Sequence, residues 1–471
     1  MKSIISLIIF SLMYSSSFSQ NWESLGQGVN QPVFHLYPDS VDNLLYIGGQ
    51  FKFADGITVN GVATWDGQSF TTVGSGVNNC SSEFCYQTLA LTRYKDHIYC
   101  SPLSTLFGDS IINGIAKWNG TTWSNVGKGI LTISGSNGVA LSMLTYEEEL
   151  YIFGAFHRIG QDSAFYAAKW NGDSLSSLNF FKENLVSRIH HAVVFQNEIY
   201  VAGFFEDDQG NQLDVAKYDG QHWYPVGGGI KGFADDPLEL IVYNDELYTC
   251  GYFKKSSGNT GTGILKLKNN AWVDVGGSFD GDNVVVDGMI VFDEALFAFG
   301  RFSHVGGGVA ANNIAKWDGE RWCGLGSTFP EYRDVKAAAV YNDELYIAGS
   351  FDSIDGQVFN RIAKWTGGNY VDTCGEAVST TYLDKISIPK FSISPNPSFE
   401  VINFEIQGKV RNDARLVLSN LLGQSLQTLQ LPSFSGQYSH QLEVSTYPVG
   451  TYFLTLQIGA QVTTRKVVIQ R

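Results

Sequence analysis

Charge is scarce in this 471-residue chain: 16% of residues are charged, against a usual share of about 25%. Basic residues are scarcer than acidic ones, 31 against 46, and the formal net charge is −15. A basic footprint of the kind that grips phosphate backbones is missing, which excludes nucleic acid and anionic membrane surfaces as expected partners. Proline (11), histidine (8), cysteine (6) and methionine (4) are also few. With 44% hydrophobic residues the chain is too apolar for disorder, and its composition does not suit a coiled coil. What it has in abundance is glycine (51) together with Phe (31), Tyr (23) and Trp (10). Glycine for tight turns and aromatics for pleated surfaces point to an all-β protein.

Long apolar runs are absent beyond the first 19 residues. There, Lys2, an apolar stretch over residues 4–13 and Ser15-Ser16-Ser17-Phe18-Ser19 have the layout of a secretory signal peptide cleaved before Gln20. About ten apolar residues are too few to span a bilayer, which needs ~20, so no transmembrane span is expected. Export places the cysteines in an oxidising compartment. Cys80 and Cys85 could close a short polar loop, and Cys323 and Cys374 occupy nearby positions in consecutive repeats. Cys100 and Cys250 sit in apolar strands and suit buried free thiols.

One pattern recurs along most of the chain. Leu45-Tyr46-Ile47-Gly48-Gly49-Gln50-Phe51 returns at residues 150–156, 199–205, 247–253, 296–302 and 345–351, with a copy lacking the glycine from Ile98. The seven starts lie 48–53 residues apart. A second motif, Ile115-Ala116-Lys117-Trp118-Asn119-Gly120, recurs around Trp65, Trp170, Tyr218, Trp317 and Trp365, and weakly around Leu267. Each unit divides into four short antiparallel strands, the last two joined at Asp66-Gly67, Asn119-Gly120 and their equivalents, where a two-residue type I′ turn is expected. Such sheets must stack on neighbours, and seven arranged radially make a β-propeller. The repeated Trp residues then pack between blades. Trp22-Glu23-Ser24-Leu25-Gly26 copies the last strand of a unit with no unit before it, whereas the corresponding segment at Tyr370 is degenerate. The N-terminal strand is therefore expected to complete the seventh blade.

Glycine ending the second strand, Asp or Asn with Gly in the hairpin, and Trp in the fourth strand resemble kelch-type propellers of the galactose-oxidase central-domain group. The double glycine of that type appears only at Gly48-Gly49. The resemblance implies a fold for residues 20–376 and no activity. No counterpart of the oxidase copper site can be matched.

From residue 387 the period vanishes. After a linker at 377–386, a run of short strands suits a small β-sandwich. Pro395-Asn396-Pro397, the Leu-Leu-Gly segment ending at Gly423, Pro448-Val449-Gly450-Thr451-Tyr452 and the terminal Lys466-Val467-Val468 closely resemble the type A C-terminal sorting domain of the type IX secretion system. That resemblance implies periplasmic export, recognition by the type IX machinery and removal of the tail. The cargo then stays on the outer surface of a Gram-negative cell or is released.

Chemistry is hard to find in the repeats. There is no His-Glu-x-x-His, no Gly-x-Ser-x-Gly and no phosphate loop. The variable segments are the loops between blades and between second and third strands, which open on one face of a propeller. Asp207, Asp208, Asn211 and Asp214 offer oxygen ligands that could hold calcium, or simply a solvated loop; no other cofactor is expected. Asp236 and Asp282, with His190 and His191, are the candidate acid/base residues, of which at most one imidazole should face the channel. Arg188, Asp235, Asp280 and Arg333 are candidate ligand contacts. Turn-forming polar residues are the plainer account of most of these. The expectation is a monomeric binding propeller for an extracellular protein or glycan; the alternative is a secreted hydrolase or lyase with its site at the channel mouth. Convergence of Asp236, Asp282 and a histidine in one pocket would favour the latter.

Overall fold

A computed structural model describes residues 22–77, 86–178, 181, 187–207, 209–232, 236–281, 283–330, 333–367, 390–396, 398–410, 414–420, 424–432, 434–458 and 461–470. The chain forms two compact units, Met1–Glu376 and Ala377–Arg471.

The first unit is a seven-bladed propeller of four-stranded antiparallel sheets. The innermost strands are Val33–Asp39, Thr88–Tyr94, Val139–Tyr146, Arg188–Phe195, Asp236–Tyr243, Val285–Phe292 and Val335–Tyr341. They belong to blades 1 to 7 in chain order. Each lies against the innermost strand of the next blade, and the strand of blade 7 lies against that of blade 1, closing the ring. Six blades are continuous meanders. In blade 7 the outer strand is Trp22–Ser24, paired with Ile362–Trp365 in the register Trp22↔Trp365, Glu23↔Lys364 and Ser24↔Ala363.

Burial follows the repeat. Large buried side chains gather between blades, so that Leu36, Leu45 and Ile47 of blade 1 share a core with Tyr341, Tyr346 and Ala348 of blade 7. Outer-strand tryptophans donate across the same seams: Trp123 Nε1 to Val73 O at 2.8 Å, Trp322 Nε1 to Val275 O at 2.8 Å, and Trp22 Nε1 to Ser327 Oγ at 2.8 Å. Trp22, from the other end of the chain, bonds across its seam as well, to a side-chain hydroxyl where Trp123 and Trp322 use a main-chain carbonyl.

The turns differ from expectation. In the third-to-fourth strand connection Trp65 pairs with Phe70 and Trp118 with Trp123, so the loops have four residues rather than two. The Asp or Asn side chain holds each loop: Asp66 Oδ1 accepts from the amides of Gln68 and Ser69, both at 2.7 Å. Asn119, Asn171, Asp219 and Asp318 repeat this arrangement. Those backbone bonds hold the Asp66 carboxyl below its ordinary range. Among the described third-to-fourth strand connections, Asn269-Asn270 alone forms a two-residue loop with both φ positive, at 52° and 55°. Paired positive-φ turns instead join the first and second strands, at Glu147-Glu148, Gln196-Asn197, Asn244-Asp245, Asp293-Glu294 and Asn342-Asp343.

The second unit is a sandwich. Its three-stranded sheet contains Lys390–Ser394, Val401–Val410 and Phe434–Glu443; its four-stranded sheet orders Ser425–Gln430, Ala414–Asn420, Gly450–Ile458 and Gln461–Ile469. Phe404, Ile406, Leu416, Leu454 and Val467 fill the interior. Among the described residues, no helix is long and apolar enough to cross a membrane.

Candidate functional site

Every innermost strand of the propeller carries a bulge near its start. The register slips between Val33 and His35, Thr88 and Leu91, Ala140 and Ser142, Ile189 and His191, Pro237 and Glu239, Val286 and Gly288, and Val335 and Ala337. A bulge leaves one residue unpaired and re-aims its side chain. The second strand must tolerate this, which explains its glycine: a Cβ on Gly154 would stand 2.0 Å from Val139 O, and one on Gly203 2.3 Å from Arg188 O.

The residues at the bulge position are Phe34, Leu89, Leu141, His190, Leu238, Asp287 and Lys336, all partly exposed. Together they line a central cavity of about 480 Å³. Blades 1, 2, 3 and 5 contribute apolar side chains; blades 4, 6 and 7 contribute ionisable ones. The strands begin on the face where the variable loops open, so this ring forms the wall just inside the channel mouth.

Two polar clusters occupy the ionisable arc. In the first, Arg188 Nη2 donates to Asp236 Oδ2 at 2.7 Å, Arg188 Nε lies 2.9 Å from His190 Nε2, and His190 Nε2 lies 3.0 Å from the same carboxylate oxygen. One ring nitrogen cannot accept from Arg188 and donate to Asp236 at once, so the imidazole tautomer decides which bond forms. Burial works against ionisation of Asp236, but His190 and Arg188 outweigh it and hold the carboxyl below its ordinary value. In the second, Lys336 Nζ lies 2.9 Å from Asp334 and 3.7 Å from Asp287, and Ser350 Oγ donates to Asp334. Burial pushes Asp287 up to about 6 despite Lys336, whereas Lys336 and Ser350 overcome burial at Asp334 and keep it low. No short sequence motif marks Asp334 and Lys336. Aligning the repeats on the bulge would have revealed them, because Asp334 is the counterpart of Arg188 and Asp236, and Lys336 of His190.

In blades 1, 3, 4 and 5 the residue after the bulge also lines the cavity and bridges to the next blade. His35 Nε2 donates to Leu91 O at 3.2 Å, Ser142 Oγ accepts from Ala192 N at 3.1 Å, and His191 Nδ1 accepts from Leu240 N at 3.3 Å. The Met289 amide donates to the Glu239 carboxyl. Burial lowers both His35 and His191 to about 4 and raises Glu239 to about 8, so all three are mainly neutral near pH 7. Contrary to the expectation that one imidazole at most would face the channel, both adjacent histidines line the cavity, because the bulge breaks the strict alternation of the strand; His191 is also tied to blade 5 through Leu240 N.

Other residues singled out in the sequence sit elsewhere. Asp280 makes main-chain bonds with His304, and Arg333 Nη2 lies 3.9 Å from Asp352. Asp207 Oδ1 accepts from the amides of Gln209 and Asn211, and its Oδ2 from Asn211 Nδ2. Asp214 is buried against Ile230 N and Gln212 Nε2. The described carboxylate oxygens of this loop accept from amides and side-chain amides of residues 209–212 and from Ile230 N. Cys323 is disulfide-bonded; Cys100 and Cys250 are free and buried, and burial pushes both thiols up. Asp208, Asp235, Asp282, Cys80, Cys85, Cys374, Pro397 and Gly423 lie outside the described residues.

In the sandwich, the Asn396 side chain bridges the final strand, donating to Lys466 O and accepting from Val468 N, both at 2.8 Å. Tyr452 donates to Pro448 O at 2.8 Å. Gly450 starts the strand that pairs with the last one, Gly450↔Ile469, and Lys466 is exposed on its surface. The spaced motifs are thus one structural unit, in which Pro395-Asn396 is tied to the C-terminal strand. Residues 392–470 match the family model of the secretion system C-terminal sorting domain.

The tail is a sorting domain. It marks the chain for type IX secretion to the cell surface or extracellular space. A search of curated proteins returned no match. Among solved structures, a GH74 enzyme of Niastella koreensis is similar with a TM-score of 0.45 and 12% identity, covering 96% of this chain and 75% of that one. At that level of likeness the architecture rests on the sheet topology itself.

Proposed function

We propose that the propeller is the working cargo of this secreted chain, a binding module that takes an extracellular protein or glycan through the face bearing the channel mouth. Residues 1–19 act as its export signal, and its blades are of the kelch-like type. One observation carries this reading: seven bulges aim one side chain each into one cavity, four apolar (Phe34 and three Leu) and three ionisable, on a scaffold that is otherwise repetitive. A rigid ring with a varied inner wall suits recognition. A second reading, a hydrolase or lyase, draws support from the opposite shifts of Asp236 and Asp287, since carboxyls driven apart in pKa are what acid/base catalysis needs.

The test is binding of the purified chain to glycan arrays and to immobilised extracellular proteins, beside Asp236→Asn and Lys336→Met variants. Binding that both variants weaken supports the module. Release of new reducing ends or unsaturated sugars from a bound glycan moves the assignment to the enzyme reading, and no binding to either class overturns the module.

A further inference from the structure

We infer that the channel mouth accepts an uncharged polyhydroxylated ligand, a neutral saccharide unit, seated with one face on Phe34 and its hydroxyl edge on the ionisable arc. This deepens the binding reading and rests on it.

The argument begins with charge. Lys336 and Asp287 line the cavity, and Arg188, Arg301, Asp236 and Asp334 adjoin them, three fixed charges of each sign beside His190. The arc therefore has no excess of either sign to attract an ion. Each cluster is also internally committed, Arg188 to Asp236 and Lys336 to Asp334, so a charged ligand would have to break a partly buried ion pair to enter. A neutral hydroxyl faces no such barrier. It can accept from Arg188 or Lys336 and donate to a carboxylate in the same place, because a hydroxyl is donor and acceptor together. Arg188 retains exposed donors, its side chain being 43% accessible.

The opposite arc supplies the second half of the recognition. Phe34, Leu89 and Leu141 come from consecutive blades 1, 2 and 3, are partly exposed, and offer no hydrogen bond to an occupant. A pyranose ring presents this pair of surfaces, C–H groups on its face and hydroxyls around its edge. The cavity, at about 480 Å³, lies within the ~300–1,000 Å³ usual for small-ligand sites. His35, His191 and Glu239 also line the cavity, each bonded to backbone of the next blade; the two histidines are neutral and Glu239 is mainly protonated near pH 7, so they add no net charge.

The experiment uses the purified full chain with a panel of neutral disaccharides and trisaccharides (gluco-, galacto-, manno- and xylo-configured), with uronic-acid and amino-sugar oligosaccharides of the same lengths. Saturation-transfer NMR and calorimetry provide the readout. Neutral members should bind, with affinity constant between 50 and 500 mM salt. Phe34→Ala should weaken binding by about tenfold, or about 1.4 kcal/mol, and Leu141→Asn should weaken it as well, so that one misfolded variant does not decide the matter. Preference for the charged oligosaccharides, salt-sensitive binding, or neutral binding indifferent to both substitutions overturns the inference. If saccharides fail while an extracellular protein binds and Lys336→Met weakens that binding, the saccharide proposal falls and the binding module stands. If nothing binds, both fall.

Discussion

The hydroxyl of Tyr341, at the end of the innermost strand of blade 7, donates to the carbonyl oxygen of Asn43 in blade 1 at 2.8 Å, across 298 residues of sequence. The same bond joins other neighbours: Tyr94 to Glu148 O, Tyr146 to Asn197 O and Tyr243 to Glu294 O. In each case the acceptor is the last residue of the turn between the first two strands of the following blade. Ring closure therefore reuses an ordinary interblade contact, supplemented by Trp22 on the outer edge.

Those two contacts should differ in weight. Tyr341→Phe removes one hydrogen bond and should lower unfolding free energy by about 1 kcal/mol. Trp22→Ala removes a side chain that is 1% exposed, its bond to Ser327 and its edge contact with Trp365 at 4.8 Å. It should cost about 3–5 kcal/mol. Urea unfolding of both variants checks this; a Trp22→Ala protein as stable as the parent would mean that blade 7 closes without its N-terminal strand.

Glycine serves two purposes that substitution can separate. Gly203→Ala places a Cβ 2.3 Å from Arg188 O and 3.0 Å from His190 N. It should destabilise by about 1–3 kcal/mol and displace both mouth residues. Gly120 has φ +92° with nothing within 4 Å of a Cβ, so Gly120→Asn should cost no more than about 1 kcal/mol. Paired thermal melts suffice, and equal losses would refute the bulge argument.

Buried histidines and a buried carboxyl should pull stability in opposite directions as pH changes. His35 and His191 have folded values near 4, below their ordinary ~6.5, so their contribution is complete above about 6.5 and lost as pH falls toward 4. Glu239 has a folded value near 8, above its ordinary ~4.3, so its contribution is complete below that value and lost as pH rises through 8. His191→Gln should flatten the acid branch of a urea-midpoint profile, and Glu239→Gln the branch between about pH 5 and 8.5. An unchanged alkaline branch in Glu239→Gln would refute the buried, proton-holding state of that side chain.

In the sorting domain, Asn396→Ala removes both ties to the final strand and should destabilise the tail by about 1–2 kcal/mol. Asn396→Asp keeps the acceptor for Val468 N and loses the donor to Lys466 O, so its effect should be smaller. Less protein should reach the medium or cell surface in the same order, measured by fractionation. Full export of Asn396→Ala would show that recognition does not require this tie.

Much of this architecture is legible in the amino-acid order. The period of 48–53 residues gives seven blades, and the unpaired copy at Trp22 foretells the seam. The tail motifs identify its sorting role because they are specific in kind and order. The turns are not legible in the same way, because Asp-Gly and Asn-Gly serve both two-residue type I′ turns and four-residue loops capped by the Asx side chain, and only strand register tells these apart.

Local sequence thus determined the strands, their count and the destination of the chain, since these depend on periodicity and short motifs. Only the tertiary structure decided the mouth. A bulge shifts side-chain alternation by one residue, which sets His190 at the mouth and lets His191 bond blade 5, and the stacking of blade 7 on blade 6 brings Asp287 and Lys336, 49 positions apart, to 3.7 Å. Neither effect is written in any single repeat, because each depends on how neighbouring blades meet.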